Sequence, residues 1–235
     1  MSAHALMQQL EKLGSESYRN VLRKHGAQDP IFGVKIEEMK KLLKPHKGNT
    51  DLACELFATK NYDAQYLAGL MADGKQMSKD QLQLWLETAN CNAIRRYSVA
   101  WVATESPHAV DLINTWGSSN QEDVAATAWA TLISYISITP DQELDLPWLQ
   151  RLLDYVQSTI HQQPNEVRSG MNSFVIALGS FVVPLHEAAV QAGKAIGAVS
   201  VDVGDTACKI PFAPDYIAKV AARGAIGKKR KEIKC

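Results

Sequence analysis

The stretch SKDQLQLWLETANCNAIRRYSVAWVATESP (Ser78–Pro107) decides the fold. Ser78 with Gln81 three places on forms a capping box, and Leu82, Trp85, Leu86 and Ala89 then fall at i, i+3, i+4 and i+7. Ile94, Tyr97 and Trp101 repeat the spacing at i, i+3 and i+7. Ser106-Pro107 supplies an N-cap and a proline at the first helical position of a further helix, which carries Val110 and Ile113 and ends at Gly117. Three amphipathic helices in succession, with nothing that alternates at period two, point to helix-on-helix packing.

The same pattern extends through the chain. Ala125, Trp129, Leu132 and Ile136 form one stripe, and Leu149, Leu152, Leu153, Val156 and Ile160 another. Val167, Met171, Phe174, Val175 and Leu178 follow, then Leu185, Ala188, Ala192 and Ile196, and last Ile217, Val220 and Ala221. Val199, Val201 and Val203 alternate as a short extended piece between Gly197 and Gly204. The chain therefore reads as all-α. Helix starts at Ser106, Asp145 and Pro184 are 39 residues apart each time, a two-helix period near that of HEAT and armadillo arrays. The expectation is a HEAT-like α-solenoid, an α-α superhelix of about five to six helical pairs. The competing architecture is a globular helical bundle. The domain reading is a single helical-repeat domain over residues 1–222 and a basic C-terminal tail over 223–235. A solenoid presents a long concave surface, although fold alone does not say what binds there.

Composition excludes several classes. The chain has 235 residues, of which 46% are hydrophobic and 21% charged, too apolar for a disordered segment and ample for a core. No apolar run approaches the ~18 residues of a membrane span. MSAHALMQQLEKLG (Met1–Gly14) is amphipathic and lacks the basic start and unbroken apolar stretch of a secretory signal. Cys54, Cys91, Cys208 and Cys235 stand far apart without metal-ligand spacing, which argues against a disulfide scaffold or a zinc finger. These features lead us to expect a soluble, cytoplasmic monomer. Net charge is zero, yet residues 1–48 carry +4, residues 49–222 carry −9 and residues 223–235 carry +5. Basic ends around an acidic middle suit a polyanion if they meet in space; otherwise they are a solvated face and a mobile tail.

A helical wheel on the Asn90–Thr104 segment puts Asn92, Arg96, Val99 and Ala103 opposite the core stripe. The next two inner helices place Thr127, Thr131 and Ser134, then Ser169 and Ser173, in the same way. These small or polar faces are either lateral contacts between repeats or the lining of a groove. Arg95, Arg96 and Arg168 stand out in a region poor in cations, as phosphate contacts or as ion-pair partners. Lys228, Lys229, Arg230 and Lys231 form the densest basic cluster, either an arm for a polyanion or a solubility tail, with Cys235 exposed beside it. Four in five of the tryptophans Trp85, Trp101, Trp116, Trp129 and Trp148 are assigned to the core. The six histidines include no HExxH and no pair at ligand spacing, so no metal is expected; GxSxG, a Walker loop and a dinucleotide turn are absent.

VLRKHG (Val21–Gly26), Phe32-Gly33-Val34 and MKKLLK (Met39–Lys44), with EVRSGMNSFVIALGS (Glu166–Ser180), VDVGDTACKIP (Val201–Pro211) and GKKRK (Gly227–Lys231), resemble AlkD-like DNA alkylation repair proteins, in an uncharacterised branch of that family. The resemblance implies a HEAT-like solenoid that wraps double-stranded DNA, alkylated or not, and excises alkylated purines without metal or organic cofactor. It implies a catalytic tryptophan and, four residues later, an aspartate; these fall at Asn92 and Arg96. A phosphate-contacting arginine falls near Ala126, and a second aromatic near Phe174, which the wheel places in the core stripe. No Trp-x-x-x-Asp occurs between Glu87 and Trp101. An aspartate stabilises the cationic sugar left as the glycosidic bond breaks, whereas an arginine repels it. If another carboxylate acts, Asp123 and Glu166 are the candidates. Two function classes follow: a metal-independent alkylpurine DNA glycosylase, or a non-catalytic solenoid that binds DNA or a protein partner.

Overall fold

Ser78 accepts the backbone N–H of Gln81, and the Gln81 side chain returns to the Ser78 N–H at 2.9 Å, so the capping box forms as read. The structure is a computed structural model that describes residues 2–204 and 206–234; the expected exposure of Cys235 lies outside these residues. All regular structure among the described residues is helical. Packing divides the chain into two compact units, one of residues 2–112 with Lys234 and one of residues 113–233. Residues 223–233 therefore pack with the second unit, and the 222/223 composition break is not a packing boundary.

The first unit contains α1 (Ala3–Leu13), α2 (Glu16–Lys24), α3 (Ile36–Leu43), α4 (Thr50–Ala58), α5 (Tyr62–Met71), α6 (Lys79–Thr88), α7 (Asn92–Ile94) and α8 (Ala100–Glu105). Ser2, Ser15, Asn49 and Asn61 cap four of them through side-chain oxygens that accept orphan N–H groups. All ten residues of α5 are buried, so this helix is the axis of the unit. Its two buried polar side chains are satisfied. The Asp63 carboxylate accepts the N–H groups of Phe32 (2.6 Å), Gly33 (3.1 Å) and Val34 (2.8 Å), and burial raises its pKa against the opposing effect of those three donors. Gly33 has φ 77°, and a Cβ there would lie 2.5 Å from the Ser15 carbonyl oxygen, so only glycine completes the turn around the carboxylate. Phe57 and Trp85 stack at 4.0 Å between centroids.

The second unit begins within α9 (Ala109–Gly117) and continues through α10 (Glu122–Ile138), α11 (Leu146–Thr159), α12 (Asn165–Phe181), α13 (His186–Ile196) and α14 (Ala213–Ala222). Asp145, read from the sequence as a helix start, caps α11 by accepting the Trp148 N–H at 2.9 Å, and Pro147 stands in the first turn. The starts of α9, α11 and α13 are 37 and 40 residues apart, close to the period read from the sequence. The two 17-residue helices α10 and α12 lie side by side, with Trp129 and Phe174 in ring contact at 5.3 Å. The extended piece expected at Val199–Val203 forms no strand. Its segment is an irregular connection tied to α12: Asn165 exchanges two hydrogen bonds with Asp202, and Asn172 donates to the Pro211 carbonyl. Those side chains take up backbone groups that a strand would have offered to a neighbour.

The basic tail runs over helix ends. Gly227 N–H donates to Ser180 O near the end of α12, and Arg230 N–H to Ser137 O near the end of α10. Lys229 Nζ donates to Ile136 O at 2.9 Å and pairs with Asp141 at 2.8 Å. The Arg230 guanidinium lies 5.6 Å from the Phe181 ring centroid. Lys234, counted with the first unit, donates to Ala72 O after α5 and pairs with Glu105 at 2.7 Å. Cations therefore sit where the last carbonyls of helices lack partners and the helix dipole is negative.

Candidate nucleic-acid interface

The helix that carries Asn92 and Arg96 is aimed by an amide relay that runs from the surface to the buried Gln65. Gln65, fully buried on α5, donates to Phe57 O (3.1 Å) and Thr88 O (2.9 Å) and accepts the Asn90 N–H at 2.7 Å. The Asn90 side chain accepts from Gln28 N–H and donates to the carbonyls of Gln28 and Lys60. Four segments thus converge on the turn before α7. Cys91, at the cap position, is buried, and burial pushes its thiol pKa up, so at neutral pH it is not an activated nucleophile.

Between α7 and α8, Arg95–Val99 form a π-helical turn. One extra residue rotates everything beyond it by about 100° relative to the sequence wheel. The expected inward Tyr97 is consequently 50% exposed, while Ser98 and Val99 are fully buried in its place. Val99 and Ala103, expected on the open face, are core residues. Close packing holds the turn: a Cβ on Gly69 of α5 would lie 2.4 Å from Ser98 Cβ. The Tyr97 ring rests against Trp101 (5.5 Å, tilted), which meets Tyr66 edge-on at 5.6 Å.

Asn92 is exposed and accepts from Arg95 Nη1 at 3.2 Å; Arg95 Nε donates to Leu86 O at 3.1 Å. Arg96 is half-buried. Residues 88–104 contain no aspartate or glutamate, so this helix stretch presents cations and amides where the family resemblance calls for an anion.

In the second unit, the small-residue faces serve mainly helix–helix packing. Thr127 and Thr131 are fully buried, with hydroxyls returned to the carbonyls of Asp123 (2.7 Å) and Thr127 (2.8 Å). Ala126 is buried, and Phe174 is fully buried against Trp129, so the aromatic carried over from the family fills the core, as the wheel placed it. Arg168 is half-buried, and its Nε has no hydrogen-bond partner among the described residues. Asp123 and Glu166 are half-buried at the starts of α10 and α12. Glu122, which sequence reasoning passed over, accepts the Glu166 N–H at 2.7 Å and so caps α12 from the neighbouring helix. Lys228 and Lys231 are exposed, whereas Lys229 and Arg230 hold the contacts already described. The site residues thus fall into two sets: Asn92, Arg95 and Arg96 in one unit, Arg168, Phe174 and Lys228 to Lys231 in the other.

Known proteins agree with this architecture. Residues 6–217 match the family described as DNA alkylation repair enzyme. A solved structure described as "a new family of proteins related to the HEAT-like repeat DNA glycosylases with affinity for branched DNA structures" is 35% identical, covers 100% of both chains and superimposes with a TM-score of 0.93. Uncharacterised proteins of Listeria monocytogenes (Lmo0209) and Listeria innocua (Lin0241) are each 28% identical over 92% of this chain and 95% of their own. The all-α fold is therefore of the HEAT-like repeat class.

Proposed function

The chain belongs to the DNA alkylation repair enzyme family, and from that membership we propose that it binds DNA, with preference for branched forms, and does not excise alkylated purines through the family's aspartate. The observation that carries this reading is the end-to-end likeness, at 35% identity, to a protein with affinity for branched DNA. The chemistry of the Asn92–Thr104 stretch supports it. An oxocarbenium-like transition state needs an anion, and this stretch offers Arg95 and Arg96 with no carboxylate. Losing one well-placed electrostatic contributor costs ~10²–10³ in rate. Exposed Lys228 and Lys231 supply sequence-independent attraction to phosphates.

The excision reading rests on family membership and on Asp123 and Glu166 as substitute carboxylates. One pair of assays separates the two. Fluorescence anisotropy compares a four-way junction with a linear duplex of equal length across a salt series. Release of N3- and N7-methylpurines from alkylated duplex is followed by chromatography. The expected outcome is tighter binding to the junction and release at the spontaneous rate. Equal affinity for the two DNAs refutes branch preference. Release that Asp123→Asn or Glu166→Gln abolishes makes the protein a glycosylase with a relocated carboxylate.

A further inference from the structure

The Arg95–Val99 π-helical turn brings an aromatic ring to the surface. A π-turn inside an α-helix is rare and sits disproportionately at functional sites. Here it lifts Tyr97 out of the core: the apolar spacing of Ile94, Tyr97 and Trp101 would bury the ring, yet it is 50% exposed while Ser98 and Val99 are sealed. The ring is also supported by packing. Trp101, 4% exposed, supports it from below at 5.5 Å, and Tyr66, 6% exposed, fixes Trp101 from the side. Immediately before it in the chain stand two arginines, with Arg95 anchored by Leu86 O and Asn92. A packed, half-exposed aromatic ring beside positive charge, with no acidic residue on the Asn92–Thr104 stretch, has the chemistry of a platform for a nucleobase whose phosphates are held nearby.

We propose that Tyr97 is a stacking platform for an unpaired nucleobase, so that the Arg95–Val99 turn selects DNA whose bases are free of the duplex. The inference rests on the DNA-binding reading and deepens it by naming the residue that distinguishes unpaired from paired bases. A base inside a continuous duplex is stacked on its neighbours and has no free face to offer. A base at a fork, gap or branch does.

The test uses the full chain with two probes: a forked duplex with single-stranded arms, and the same duplex fully paired. Tyr97→Phe keeps the π-face; Tyr97→Leu keeps apolar bulk without it and guards against loss of packing on Trp101. Stacking on one base is lost with Tyr97→Leu, and affinity for the fork should fall about 5- to 150-fold. Affinity for the paired duplex should change by less than about twofold, and Tyr97→Phe should retain fork binding. With 5-iodouracil in a fork arm, irradiation should link the arm to the peptide containing Tyr97. If wild type binds DNA but Tyr97→Leu weakens fork and duplex equally, or neither, the platform is refuted and the DNA reading stands. If wild type binds neither probe at low salt, both fall.

Discussion

Replacing Lys229 with methionine tests whether the tail is part of the fold. The substitution keeps the apolar stem and removes the ammonium. Lys229 is 18% exposed and its partner Asp141 24% exposed, so the pair lies between a surface contact, worth ~0.2–1 kcal/mol, and a fully buried one, whose breaking costs ~3–5 kcal/mol. Two interactions go at once: the 2.8 Å ion pair and the 2.9 Å bond to Ile136 O. A hydrogen bond to a charged group contributes ~1.5–3 kcal/mol. Asp141 keeps one partner, the Val183 N–H at 3.0 Å, which limits the damage. The expected cost is ~2 kcal/mol, or a fall in Tm of ~4–8 °C for a chain of this size. Urea denaturation followed by tryptophan fluorescence measures it, with exposed Lys228→Met as the control. Asp141→Leu and the double variant close a cycle in which the coupling should exceed ~1 kcal/mol. If Lys229→Met matches Lys228→Met, the tail is a solvated appendage and the argument from helix ends is wrong.

Other consequences can be checked with equal directness. Gly69→Ala should cost at least ~1–3 kcal/mol by overpacking against Ser98, and Ser98→Gly in the same chain should recover little of it, because the new Cβ would still lie 2.6 Å from the residue-98 Cα; thermal denaturation reads both. Because burial raises the Asp63 pKa, there is a pH interval above ~4 in which the folded form holds a proton that the unfolded chain has released. Its contribution to stability is therefore complete below the ordinary carboxylate value near ~4 and declines as pH rises through the elevated folded value. Asp63→Asn should be destabilising, and its deficit relative to wild type should narrow as pH rises from about 4; a constant deficit refutes the sign. Lys228→Ala and Lys231→Ala should leave Tm unchanged and each lower the salt slope of duplex binding by up to ~0.9, if each meets one phosphate.

What the sequence made legible was local. Ser78 and Gln81, Asp145, and the stripes through Trp85 and Trp129 encode helix starts and buried faces within a few residues of themselves. The π-turn is not written that way. It depends on Gly69 meeting Ser98 from another helix, and the period of Ile94, Tyr97 and Trp101 conceals it. The relay from Gln28 through Asn90 to Gln65 was equally hidden, because each amide alone looks like a surface residue. In the tail, composition showed the charge but not its destination. The carbonyls that receive Lys229 and Lys234 belong to Ile136 and Ala72, far upstream. Glu122 was missed because capping from a neighbouring helix leaves no spacing signature in its own.

The contact of Lys234 with Ala72 closes a loop of 162 residues, which bears on the order of events in folding. Closing so long a loop before the helices it spans have formed costs chain entropy, so we expect the contact to form after the rate-limiting barrier, and Lys234→Met to speed unfolding in stopped-flow kinetics while leaving the folding rate unchanged. Interactions absent from the transition state act on the escape rate: they slow unfolding and leave folding speed alone. Lys234, with Glu105 beside it, is thus a latch on the finished molecule, and its effect lies in how long the native state persists once reached.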